Sequence, residues 1–76
     1  MSFRVYTIKH TRGGREKVQN VFTVKTSDQV ERRLGRAVTA GQEAWAENEA
    51  GERVGTVERN VLGELALTID REKLRR

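Results

Sequence analysis

The chain of 76 residues contains no cysteine. This absence excludes disulfide frameworks, thiolate zinc sites and cysteine nucleophiles, and it fits a reducing compartment. Long apolar runs are missing as well, because residues 1–10 lack the core of a signal peptide and no segment approaches the roughly 20 apolar residues that span a bilayer. We therefore expect a soluble, cytoplasmic protein that does not bind a membrane.

The short length limits the size of the core. A domain of this size buries only about 60% of its unfolded surface and holds one core, with no room for a deep catalytic cleft. We expect a single domain over residues 1–76. Residues 70–76 are predicted to be either one frayed helical turn or a disordered tail.

The net charge of +4 is distributed unevenly along the chain. Residues 1–41 hold nine Lys or Arg and three acids, whereas residues 42–69 hold two Lys or Arg and six acids. A basic segment followed by an acidic one permits nucleic-acid binding, and it equally permits head-to-tail association.

The segment from Ser27 to Gly41 predicts the central helix. Ser27 can cap the first free N–H groups, Asp28 and Glu31 place negative charge at the positive end of the dipole, and Gly41 can close the helix in a left-handed conformation. The predicted apolar face consists of Val30, Leu34, Ala37 and Val38, with Arg32, Arg36 and Thr39 on the opposite face.

Residues 3–9 and 17–26 are rich in β-branched and aromatic residues and flank Gly13 and Gly14, which predicts a β-hairpin. A two-residue glycine loop pairs Phe3 with Val24 and Val5 with Phe22, so that these four residues and Val18 meet the helix. The same register pairs Tyr6 with Val21 and Ile8 with Gln19 on the other side of the sheet.

One helix cannot cover both sides of a sheet. We therefore expect Tyr6, Ile8 and Val21 to form part of an interface, because together they would expose an apolar patch of the size found at association sites. The alternative is that the last strand or the tail, through Leu74, folds back over this side and completes a monomeric core.

Residues 43–59 alternate around a glycine-containing turn and predict a second hairpin, with Gly51 left-handed in a three-residue loop. The corresponding register places Trp45 opposite Gly55, Ala46 opposite Val54, and Glu47 opposite Arg53. Trp45 is expected to pack over the bare glycine.

Residues 64–69 predict a last strand, with Val61, Leu65, Leu67 and Ile69 on one side. A helix is the competing prediction, weakened by Gly63 and Thr68. The fold class is thus α+β: an antiparallel sheet of about five strands in the order β-β-α-β-β-β, with one helix packed on one face. This layout, with its helix-closing glycine and its Leu-x-Leu-Thr-x-Asp strand, resembles small bacterial domains of unknown function. The resemblance implies a fold and supplies no catalytic residues.

No catalytic, cofactor-binding or metal-binding residue is predicted. His10 has no partners at the spacing of a catalytic triad, and the glutamates at 43, 47, 49 and 52 lack calcium-loop spacing and indicate a solvated acidic edge.

The leading hypothesis is a small non-enzymatic interaction module with a protein partner or a second copy of itself. The alternative is a protein that binds the phosphate backbone of nucleic acid. Such binding would use the hairpin tip and the helix face, and the predicted contacts are Arg12, Arg15, Lys17, Arg32, Arg33 and Arg36.

Overall fold

The computed structural model describes residues 2–10, 13 and 16–74. Its elements are β1 (Phe3–His10), β2 (Glu16–Val24), α1 (Ser27–Thr39), β3 (Ala44–Glu47), β4 (Arg53–Arg59), β5 (Leu65–Ile69) and α2 (Arg71–Leu74). The five strands form one antiparallel sheet in the order β2-β1-β3-β4-β5, and α1 packs on one face of it. This architecture confirms the predicted fold class.

The helix α1 begins with a capping box one residue before the predicted cap. Thr26, not Ser27, is the N-cap: its hydroxyl accepts a hydrogen bond from the Gln29 backbone N–H (3.2 Å), and the Gln29 side chain accepts one from the Thr26 backbone N–H. Thr26 prevails because only it has glutamine three residues later. The helix ends as predicted, with Gly41 left-handed (φ 72°) and the Gln42 N–H bonded to the Ala37 carbonyl.

The first hairpin keeps the predicted register only as far as the pair Thr7–Asn20. A β-bulge at that point makes Gln19 an extra residue, so Ile8 pairs with Val18 and not with Gln19. Val18 therefore lies on the same side as Ile8, away from the helix, and 43% of it is exposed. Its predicted place beneath the helix was wrong because a bulge reverses the alternation of side chains.

A second bulge, between Ala46 and Glu47, changes the register of the second hairpin. Glu47 pairs with Arg53 as predicted, but Trp45 pairs with Thr56 and Ala46 with Gly55. The predicted packing of Trp45 over Gly55 is wrong, because the two residues lie on opposite sides of the sheet.

Gly55 instead makes room for the helix. A Cβ built on Gly55 would lie 2.6 Å from Leu34 Cδ1 and 3.3 Å from Ile69 Cδ1. Leu34 is fully buried at the centre of the core, and its closest approach to the sheet is possible only over a residue without a side chain. The other fully buried large side chains are Val5, Val30, Val54 and Val57.

The last strand and the tail complete the helix side of the sheet. β5 is a strand, as predicted, whereas Val61 lies in the turn before it and is fully exposed. The tail is ordered through α2, where Leu74 is 5% exposed within the core cluster. Arg71 of α2 bonds Glu31 of α1 (3.1 Å), so the described tail lies on the helix side and not over the other face. Among the described residues, no helix is long and apolar enough to cross a membrane.

Two loops of the sheet share one sequence pattern, Asn-x-x-Gly-Glu, at residues 48–52 and 60–64. In each loop the glycine is left-handed and donates its N–H to the carbonyl of the asparagine, while the asparagine Oδ1 accepts the N–H of the closing glutamate. The apolar pattern of residues 61–69 predicts one continuous strand face and does not reveal the second loop.

Candidate interaction surfaces

The side of the sheet opposite α1, here called the outer face, presents three cross-strand rows of side chains. The middle row is the most apolar. It consists of Val21, Tyr6, Trp45, Thr56 and Thr68. Ile8 and Val18 extend the apolar surface on one side of this row, and none of the described helices packs on it. The predicted interface residues Tyr6, Ile8 and Val21 thus lie on one face, together with Val18 and Trp45.

The aromatic side chains of the middle row stack on one another. The Tyr6 and Trp45 rings are 4.7 Å apart between centroids and inclined by 12°. The Arg53 guanidinium lies 5.1 Å from the centroid of the Trp45 ring, and Trp45 Nε1 donates a hydrogen bond to Glu47 Oε1 (3.0 Å). These contacts hold Trp45 in one orientation at the centre of the face.

The stacking also limits what Trp45 can bind. One ring face of Trp45 contacts Tyr6, and Arg53 lies close to the ring as well. Proteins that bind single-stranded nucleic acid offer open ring faces to successive bases. On the outer face, Tyr6 already covers one ring face of Trp45, so that ring face is closed to a base.

Charged residues occupy the two flanking rows with opposite bias. On one side of the middle row the register aligns Thr23, Arg4, Glu47 and Arg53, and on the other side it brings Ile8, Glu43 and Glu58 together. A groove of about 360 Å³ crosses the second of these rows. The outer face is therefore apolar along its middle. Among the described side chains, Arg4 and Arg53 lie on one side of the middle row and Glu43 and Glu58 on the other, where Arg59 also lines the groove.

The basic surface lies on α1. Arg32, Arg33 and Arg36 line a depression beside Val24 and Gln29, and the nearby Glu31 is bonded to Arg71. Of the other predicted phosphate contacts, Arg12 and Arg15 lie outside the described residues. For Lys17 only the backbone is described, in β2 and opposite Lys9.

A cleft opens between α1 and the inner side of the first hairpin, because α1 packs on β1, β3, β4 and β5 but hardly contacts the border strand β2. The cleft has a volume of about 160 Å³ and is lined by Val5, Thr7, Asn20, Phe22, Arg33, Arg36, Ala37, Ala40 and Gln42. The Arg33 guanidinium carbon lies 4.1 Å from the centroid of the Phe22 ring. The Thr7 hydroxyl is buried and has no hydrogen-bond partner among the described residues.

Sequence reasoning did not identify the cleft or the aromatic stack. Tyr6 and Trp45 are 39 positions apart in the chain, and their contact depends on the pairing of β1 with β3, which no local pattern reveals. Thr7 follows Phe3 and Val5 at every second position of β1, so it faces the helix as they do. This alternation could have predicted that its hydroxyl is buried. Among the described residues, no group of three or more His, Cys, Asp or Glu is arranged to hold a metal ion.

No family model matches the chain, and neither the comparison with curated proteins nor that with solved structures finds a match.

Proposed function

We propose that this protein is a small non-enzymatic interaction module that associates with a second copy of itself through the outer face. The observation that supports this proposal is the apolar middle row, in which Trp45 stands between Tyr6 and Arg53 on a face that no described helix covers. Tryptophan, tyrosine and arginine are the residues that contribute most of the binding energy in protein interfaces.

The charges favour a second copy with antiparallel strands. Consider two copies whose outer faces meet and are related by a rotation of 180° about an axis that runs between the faces, parallel to the middle row. Each flanking row then lies over the opposite flanking row of the second copy. Arg53 lies over Glu58 of the second copy, and the reverse contact follows by symmetry, while Glu47 lies over Glu43, a like-charge contact that opposes these pairs. The arrangement with parallel strands is less favourable, because it places Arg4 over Arg53 and the glutamates at 43 and 47 each over the same residue of the second copy. The apolar middle row packs on itself, as in two sheets stacked about 10 Å apart.

A dimer of standard size would bury only a small part of the chain's surface. A standard interface buries about 800 Å² on each partner. The chain exposes 5470 Å² in total, so such an interface would take about one seventh of its surface.

Val21→Lys tests this interface. Val21 is 52% exposed in the isolated chain, so the lysine can be accommodated in the monomer, but in the dimer it would be buried without a partner. We expect the dissociation constant, measured by sedimentation equilibrium, to rise at least about tenfold. Val61→Lys is the matched control, because it makes the same change at a fully exposed residue outside the sheet and should leave association unchanged.

Glu58→Arg tests the orientation. It places like charges over Arg53 of the second copy and should weaken the dimer several-fold, whereas Glu64→Arg, outside the face, should not. A wild-type chain that sediments as a monomer at all accessible concentrations would contradict self-association. Capture of a different protein, lost in Val21→Lys and kept in Val61→Lys, would then assign the outer face to that partner.

Binding of a nucleic-acid backbone is the second candidate function. It is supported by the three neighbouring arginines on α1, Arg32, Arg33 and Arg36, which line one depression. Contacts of this type position a phosphate chain without reading its sequence, so the binding would be non-specific and sensitive to salt.

A further inference from the structure

The cleft between α1 and the first hairpin combines an apolar interior with polar groups at its two ends. Val5, Phe22 and Ala37 supply the apolar wall. Arg33 and Arg36 lie on the helix side of the cleft, and Thr7 lies on the strand side.

Thr7 is the least expected of these groups. It is 8% exposed, and its Oγ1 has no hydrogen-bond partner among the described residues. A buried hydroxyl without a partner is unfavourable to the folded protein, and valine has nearly the same shape without the hydroxyl. Thr7 lines the cleft while its Oγ1 is closed to water, so a molecule bound in the cleft can supply the missing partner once the Thr7 side chain turns toward it.

The two arginines are available to an anion. Arg33 is held over the Phe22 ring, with its guanidinium carbon 4.1 Å from the ring centroid, so its position is restricted before any ligand binds. The Arg36 side chain is exposed and has no ion pair among the described residues. Two guanidinium groups at the edge of an apolar cavity attract a carboxylate or phosphate group.

The volume of the cleft limits the ligand. A cavity of about 150 Å³ accepts one benzene molecule. At about 160 Å³, the cleft accommodates one ring-sized apolar body and little more. We propose that the cleft binds a small organic anion with a single-ring body, its anionic group on Arg33 and Arg36 and a polar group on Thr7.

The experiment uses benzoate and 4-hydroxybenzoate as probes, followed by amide shifts in heteronuclear NMR spectra of the full chain. We expect both to shift the amides of Val5, Thr7, Phe22 and Ala37. 4-Hydroxybenzoate should bind more tightly because its hydroxyl can reach Thr7. Benzyl alcohol, which lacks the charge, and inorganic phosphate, which lacks the ring, should each bind at least about tenfold more weakly than benzoate.

Variants separate this site from a general basic surface. Arg36→Gln should weaken benzoate binding about tenfold, whereas Arg32→Gln, on the same helix but outside the cleft, should not change it. Thr7→Val should remove the advantage of 4-hydroxybenzoate over benzoate while the melting temperature stays equal to that of the wild type or rises. Thr7→Ser should retain that advantage.

Three results would overturn the proposal. The first is the absence of amide shifts at the cleft with either probe. The second is phosphate binding as tight as benzoate binding, which would reduce the site to a pair of surface arginines. The third is an unchanged preference for 4-hydroxybenzoate in Thr7→Val, which would show that the Thr7 hydroxyl does not contact the ligand.

Discussion

At the scale of the residue, Gly55 determines how closely α1 approaches the sheet. Any side chain at this position would collide with Leu34 Cδ1, and Leu34 is enclosed on all sides by the core. The β-propensity of a larger residue, which alone would favour substitution in a strand, is therefore outweighed by steric overlap.

Gly55→Ala should destabilise the protein by about 1–2 kcal/mol, because the steric cost of the overlap with Leu34 exceeds the stability gained by replacing a glycine in a strand. In a Leu34→Val background, which lacks the δ carbons, the same substitution should have little effect. Urea unfolding of the four variants measures this coupling. The folded-state emission of Trp45 should not change, because Trp45 lies on the other side of the sheet. Equal destabilisation in both backgrounds would show that the overlap is not the cause.

Single residues also show which local conformations could be predicted from the sequence and which could not. Gly41 and Gly51 were predicted to be left-handed and are, because a positive φ excludes most other residues there. The N-cap was placed at Ser27 although Thr26 caps α1, since both hydroxyls suit the position and only the side chain of Gln29 decides between them.

At the scale of the element, the two Asn-x-x-Gly-Glu loops provide a comparison within one chain. The first loop has Glu49 and Ala50 at its tip, and the second has Val61 and Leu62, which are 103% and 78% exposed. The loop conformation therefore does not require apolar residues at these positions, since the hydrogen bonds come from the asparagine and the backbone.

The double substitution Val61→Glu with Leu62→Ala gives the second loop the sequence of the first. Its free energy of unfolding should stay within about 0.5 kcal/mol of the wild type, because both side chains are exposed. Asn60→Ala, which removes the acceptor of two backbone N–H groups, should lower it by about 1 kcal/mol. Thermal unfolding compares the two. A double variant less stable than Asn60→Ala would mean that Val61 or Leu62 packs against the fold.

The strands illustrate why registers were harder to predict than the elements themselves. The alternation of apolar residues located β1 and β2, and their helical period located α1. Elements that bury one face carry apolar residues such as Val5, Phe22 and Leu34 at regular intervals. No pattern of apolar residues marks the bulges at Gln19 and near Ala46, and each bulge reverses which residues face the helix. Tyr6 and Val21 lie on the predicted side of the sheet because their pair stands between the bulge and the open end of the hairpin, where the register is unchanged, whereas Val18 was assigned to the wrong side.

At the scale of the whole molecule, charge is segregated onto separate surfaces. The arginines of α1 lie on the helix side, while the outer face carries both signs, with Arg4 and Arg53 in one flanking row and Glu43 and Glu58 in the other. The order of charges along the chain was enough to predict the basic surface on α1. The cleft and the aromatic stack could not be predicted, because they form only when strands that are distant in the chain pair with one another.

This segregation makes salt a means of distinguishing the two candidate functions. Nucleic-acid binding, followed by gel shift at low salt, should fall steeply with added salt and should be lost when Arg32, Arg33 and Arg36 are replaced by glutamine. Dimerisation through the apolar middle row should change little under either condition. If no shift occurs at low salt, the nucleic-acid hypothesis is wrong. If the glutamine variant alone loses dimerisation, the interface lies on the helix side.

The bulge in β2 has a further consequence for how large an assembly can become. β2 is one border of the sheet, and an unbroken border strand presents a row of free N–H and C=O groups on which further strands can polymerise. The extra residue Gln19 interrupts this row, and β5, the opposite border, is only five residues long. Because both borders are poor templates for a growing fibril, the proposed association through the outer face should stop at two copies, since their pairing covers the outer face of each.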